Sequence, residues 1–89
     1  MREIVPTTAF RRDAKRMHRQ GKDTRVLEKI IDLLAANIPV PEQLLNHPLK
    51  GNWRGCCELH VAPDWLLIYH IENDTVYLDR TGSHAELFD

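Results

Sequence analysis

Cysteine is scarce in these 89 residues: there are two, Cys56 and Cys57, and they are adjacent. Neighbouring side chains in an extended segment point to opposite faces, so these two are badly placed to bridge each other and no disulfide framework is available. Free thiols in a reducing cytoplasm are the natural reading. Long apolar runs are also missing. The longest, Trp65 to Tyr69, has five residues, whereas a membrane span needs about 20. The first residues, with Arg2, Glu3 and Pro6 close together, lack the apolar stretch of a secretory signal. No Gly, Ser or Pro-rich linker, repeat or low-complexity tract divides the chain, so one domain spanning residues 1–89 is expected.

What is present is ordinary globular material, 43% hydrophobic and 28% charged, which argues against a disordered chain. The net charge of −1 hides a dipolar distribution. Residues 1–30 hold nine Lys or Arg against four Asp or Glu, giving +5, and residues 31–89 hold three against nine, giving −6. The basic part suits a phosphate backbone, and the acidic remainder argues against a purely electrostatic nucleic-acid binder.

Arg2 to Pro6 reads as a short strand stopped by proline. Thr7 or Thr8 can cap a helix with Phe10, Ala14 and Met17 on its apolar side and Gly21 as its stop. Asp23 or Thr24 can cap a second, with Val26, Leu27, Ile30, Ile31 and Leu34 as the buried stripe. A loop follows over residues 39–52, long enough that a purely connecting role is doubtful. Trp53 to His60, Trp65 to Ile71 and Thr75 to Arg80 then read as strands, with Ala62-Pro63-Asp64 and Asn73-Asp74 as turns. The expected fold is α+β, in βααβββ order, with two helices packed on one face of a small antiparallel sheet. Residues after Gly82 are expected to form an exposed, flexible tail.

A meander alternates the end of the sheet at which its turns lie. His60, Asp64, Arg80 and His84 therefore share one rim, while His70 falls at the other end. His47 sits in the long loop, and the six-residue span before the sheet resumes can reach about 20 Å, so it can join that rim. Imidazoles, a carboxylate and a guanidinium at one edge suit acid-base chemistry on a phosphodiester. The bland alternatives are a turn-stabilising His60–Asp64 pair and an Arg80 that serves only as partner to a nearby acid. Trp53 and Trp65 read first as core or rim packing. Cys56, Cys57, His60 and Asp64 are metal-ligand types, but adjacent cysteines on opposite strand faces do not supply four converging donors, so no metal is expected.

His47-Pro48-Leu49-Lys50-Gly51, Glu58-x-His60-Val61, Pro63-Asp64-Trp65-Leu66-Leu67-Ile68-Tyr69, Arg80-Thr81-Gly82-Ser83-His84 and Leu87-Phe88 together resemble the YafQ-like branch of the RelE superfamily of type II toxins. The resemblance covers about the last half of the chain, and the strand-helix-helix start matches that fold. It implies a ribosome-dependent mRNA interferase that cleaves message in the A site with the ribose 2′-hydroxyl as nucleophile. It implies no cofactor, a cytoplasmic location, and an antitoxin partner in a toxin–antitoxin heterotetramer. The family's functional positions fall on His47, His60, Asp64, His84 and Phe88. The implied roles are His84 as general acid, His47 or Asp64 as base, His60 as a positioning group and Phe88 as a base-stacking platform. Arg80, Lys50 and Trp65, with Arg11, Arg12, Lys15 and Arg16 of the basic helix, complete the expected RNA-contacting set. One departure stands out, since the family usually carries Tyr-Arg where this chain has Cys56-Cys57. Two other classes compete: a non-catalytic ParE-like toxin, expected to lack a histidine-carboxylate rim, and a plain RNA- or ribosome-binding module.

Overall fold

The computed structural model describes residues 1–88, so Asp89 lies outside the described residues. Strand β1 (Glu3–Pro6) is followed by helices α1 (Thr8–Arg19) and α2 (Thr24–Ala35), the short strand β2 (His47–Pro48), strands β3 (Cys57–Ala62), β4 (Trp65–Glu72) and β5 (Thr75–Gly82), and helix α3 (His84–Phe88). The strands form one sheet in the order β1-β5-β4-β3-β2. No helix among the described residues is long and apolar enough to cross a membrane.

Both helix starts obey capping chemistry. The Thr7 hydroxyl accepts from the Phe10 N–H, and the Asp23 carboxylate accepts from the Arg25 N–H, each satisfying a donor that the first helical turn leaves free. Helix α1 turns Phe10 and Met17 inward, and α2 turns Leu27, Ile30, Leu34 and Ala35. Val26, expected in that stripe, is 41% exposed. The helices cover one sheet face, where Leu59, Val61, Trp65, Leu67, Tyr69, Val76 and Leu78 complete the main core. Alternation along β3 and β4 sends Leu66 and Ile68 to the other face, where they meet Leu87 in a smaller cluster.

Four further expectations change. The sheet is mixed, because β1 pairs in parallel with β5, from Glu3 opposite Thr75 to Pro6 opposite Leu78. The strand expected from Trp53 starts only at Cys57, since Gly51–Trp53 forms a 3₁₀ turn and Gly55 takes a φ of 93°. The long loop contributes β2, with His47 opposite Glu58 and Pro48 opposite Cys57. The segment after Gly82 is a helix, held by a reciprocal cap in which the Ser83 hydroxyl accepts from the Glu86 N–H at 3.1 Å and the Glu86 carboxylate accepts from the Ser83 N–H at 2.9 Å. Leu87 then anchors it on the open sheet face. Gly82 permits this packing, because a Cβ there would meet Arg16 Nη2 at 2.8 Å and Glu86 Oε1 at 2.9 Å.

Candidate active site

The open sheet face carries the chemistry. On β3, Leu59 and Val61 face the helices, so Glu58 and His60 face away from them. Strand β2 brings His47 alongside, and its Nε2 lies 3.1 Å from the Glu58 carboxylate, which is only 7% exposed. Both ring nitrogens of His47 face acceptors, Nε2 the Glu58 carboxylate and Nδ1 the Pro48 carbonyl at 3.2 Å, and the tautomer decides which of them donates.

At the β3–β4 turn, Asp64 accepts from the His84 backbone N–H at 3.3 Å and faces His84 Nδ1 at 3.4 Å. His84 stands 6.1 Å from His60 between ring centroids, and 6.0 Å from Phe88. Phe88 in turn meets Trp53 edge to face at 6.1 Å. The half-exposed Phe88 ring thus sits between His84 and Trp53.

The fold therefore gathers His47, His60, Asp64, His84 and Phe88, and adds Glu58, to which the sequence reading gave no role. Its signal was available: Glu58 is two residues before His60 on one strand, hence on the same face. Asp64 partners His84 rather than His60.

Several expected RNA contacts are placed elsewhere. Trp65 is 3% exposed, packed in the helix-side core, and its indole N–H donates to the Thr81 hydroxyl at 2.8 Å. Arg80 gives its guanidinium to Asp13, so it belongs to an ion pair and not to the histidine group. Arg16 is likewise engaged, bonding Asp13 at 2.9 Å and the Thr81 carbonyl at 3.2 Å, with Glu86 at 2.8 Å from Nε. The reason in both cases is the buried Asp13 on α1, which needs donors and takes the nearest ones. Burial would raise the Asp13 pKa, but hydrogen bonds from Arg80, the Thr81 N–H and Arg16 outweigh it and hold the carboxyl below its ordinary value. Arg11, Arg12, Lys15 and Lys50 are exposed. Arg12 and Arg19 line a groove with Asp13, Arg16 and Arg80.

Donor atoms of His47, Glu58 and His60 lie within 4.8 Å of one another, a spacing that can hold a metal ion. His70 lies farther along β4, opposite Tyr77, whereas Leu66, the partner of His60, pairs with Gly82 at the α3 end.

Residues 2–89 match the family described as "Bacterial toxin of type II toxin-antitoxin system, YafQ". The chain is 38% identical over 88 residues to the mRNA interferase toxin YafQ of Escherichia coli strain K12, covering 98% of this chain and 96% of that protein. It superposes with a TM-score of 0.92 on a chain of the E. coli DinJ-YafQ complex, at 37% identity over the full length of both. A metal-bound toxin from Helicobacter pylori is similar to the same degree, with a TM-score of 0.92 and 38% identity, covering 99% of this chain and all of that one.

Proposed function

Because the chain belongs to the YafQ family of bacterial toxins of type II toxin-antitoxin systems, we propose that it is an mRNA interferase acting on ribosome-bound message in the cytoplasm. The observation that carries this reading is the convergence of three imidazoles on one open sheet face, two of them held by carboxylates: His47 by Glu58 and His84 by Asp64. A fold that only bound a partner would have no use for such a set, and this favours cleavage over a ParE-like binding role.

The ribose 2′-hydroxyl attacks the adjacent phosphorus while a base removes its proton. His47 suits this role when its Nε2–H donates a hydrogen bond to the Glu58 carboxylate, because Nδ1 is then the nitrogen that can take the proton. The bond from phosphorus to the 5′-oxygen breaks, and His84, exposed and oriented by Asp64, delivers a proton to that leaving oxygen. A 2′,3′-cyclic phosphate results, which water can open to a 3′-phosphate. His60 lies between the two and steadies the phosphate charge. Phe88 offers its face to a neighbouring base, an interaction of about 1–3 kcal/mol in other single-strand binders. His47, Glu58 and His60 also fit a divalent ion, which when bound would add positive charge beside the phosphate.

The deciding experiment incubates the protein with ribosome-bound message and with the same RNA free, in EDTA at a level that leaves ribosomes intact, and maps the ends. Cuts within codons, retained in EDTA and much faster on the ribosome, are expected, because the ribosome orients the substrate. Equal rates on free RNA overturn the ribosome dependence, and loss restored specifically by zinc or manganese overturns the metal-free step.

An antitoxin partner follows from the family. Its footprint is placed on the exposed basic side chains of α1, Arg11, Arg12, Lys15 and Arg19, because a +5 segment suits an acidic partner, while Arg16 is committed to the fold.

A further inference from the structure

A second cluster lies on the open face away from the imidazoles described above. Cys56 comes from the turn before β3, His70 from β4 and Asp79 from β5, and one donor atom from each falls within 4.8 Å of the others. His70 Nδ1 is 2.6 Å from Asp79 Oδ2, and the Cys56 thiol is 3.7 Å from the same oxygen. The His70 ring stacks on Tyr77 with centroids 4.6 Å apart and planes 6° from parallel, which fixes its orientation. Asp79 reaches the cluster through an irregularity: Tyr69 pairs with Leu78 and Ile68 with Arg80, so Asp79 is an extra residue bulged from β5. All three residues are partly buried, the His70 and Asp79 side chains being 29% and 17% exposed.

We propose that Cys56, His70 and Asp79 form a site for a zinc-like divalent ion, distinct from the cleavage residues and completed by one water. A thiolate, an imidazole and a carboxylate suit zinc, and three protein ligands with an open fourth position are a stable arrangement for it. Bond lengths of about 2.3 Å to sulfur and about 2.0–2.1 Å to nitrogen and oxygen put tetrahedral S–O and N–O edges near 3.5 and 3.3 Å. The Cys56–Asp79 edge, at 3.7 Å, is within about 0.2 Å of that length. The His70–Asp79 edge must open by about 0.7 Å, which follows naturally from loss of the hydrogen bond. On binding, Cys56 releases its thiol proton to solvent. His70 moves its proton from Nδ1 to Nε2 and turns the Nδ1 lone pair to the metal, with no net change in its charge. Cys57 points to the helix-side core and takes no part. Cys56 packs against the small cluster that seats α3. The ion would therefore tie the turn before β3 to β4 and β5 beneath that helix.

Cobalt(II) titration of the whole protein tests this, because a thiolate ligand gives cobalt a near-ultraviolet charge-transfer band that the His47, Glu58 and His60 group, having no sulfur, cannot produce. One equivalent should develop the band and raise the melting temperature. His60→Ala and Cys57→Ser should keep the band, Cys56→Ser should lose it, and His70→Ala and Asp79→Asn should each weaken binding at least tenfold. Unchanged circular dichroism in the metal-free Cys56→Ser protein shows that it is folded. If it is not folded, the His70→Ala and Asp79→Asn affinities decide. Cobalt binding without the band, a band that survives Cys56→Ser, one abolished by Cys57→Ser or His60→Ala, or unchanged affinity in both His70→Ala and Asp79→Asn each overturn the proposal.

Discussion

The Asp13 carboxylate and the Arg80 guanidinium lie 2.6 Å apart and are joined by two hydrogen bonds, although 67 residues separate them in the chain. Arg16 and the Thr81 N–H supply two more, so both oxygens of a side chain only 4% exposed are fully partnered. This junction fixes α1 against the end of β5, directly before the turn into α3. It belongs to the architecture of the site without belonging to its chemistry.

Asp13→Ala should therefore be costly. Removing one member of a buried ion pair typically costs about 3–5 kcal/mol, and the partial exposure of Arg16 and Arg80, 30% and 29%, argues for the lower end. In a domain this small roughly 3 kcal/mol lowers the melting temperature by about 15 °C. A calorimetric change under about 4 °C would show the junction to be dispensable.

Acid should act on the same residue. The folded-state pKa of Asp13 is depressed, so its contribution is fully present above the ordinary value of about 3.9 and is lost as pH falls through the folded value. Glu86 follows the same sign, lowered first by the Ser83 N–H and opposed by its burial. Urea unfolding of the wild type between about pH 6 and pH 2 should show stability falling below about pH 4. Asp13→Asn should flatten that fall, and an equally steep fall in the variant would assign it to other carboxylates.

His84→Ala should lose about 10²- to 10⁴-fold in single-turnover cleavage of ribosome-bound message, the usual worth of a general acid. Its side chain is 56% exposed, so stability should move by no more than about 0.5 kcal/mol. His70→Ala, remote along β4, should cleave nearly as well as the wild type. Equal cleavage by the two variants would remove His84 from the mechanism.

Glu58→Gln tests the buried partner of His47. The amide can turn its NH₂ toward the ring, so His47 no longer has a fixed tautomer. Cleavage should fall at least about tenfold, a barrier change near 1.4 kcal/mol. Full activity in a folded Glu58→Gln protein would mean that His47 needs no such orientation.

Double charge reversal, Arg11→Glu with Arg12→Glu, should weaken antitoxin binding while leaving the fold intact, because both side chains are exposed and outside the Asp13 junction. Arg16 is unsuitable for this test, since its reversal would break that junction. Unchanged antitoxin affinity measured by calorimetry would move the footprint off α1.

Local chemistry made much of this molecule legible in the sequence. The caps Thr7 and Asp23, the apolar spacing of Phe10 and Met17, the Asn73-Asp74 turn with φ of 50° and 63°, and the apolar β4 each depend on residues a few positions apart. The histidine set was legible for a related reason, since strand alternation and meander direction already bring His60, Asp64 and His84 to one end. The cap of α3 is also local, lying within Ser83-His84-Ala85-Glu86, although no helix was expected there.

Tertiary structure decided what depends on partners distant in the chain. The parallel pairing of β1 with β5 brings together residues about 70 positions apart, and no local period encodes it. Arg80 and Arg16 turned from expected RNA contacts into structural groups because folding buried Asp13, and a buried charge recruits whichever donors the fold places near it. Trp65 went inward because β4 is covered by helices on that face. Cys56, His70 and Asp79 meet for the same kind of reason: a turn, a neighbouring strand and a bulge put their donor atoms together, and nothing in the spacing of 56, 70 and 79 announces it.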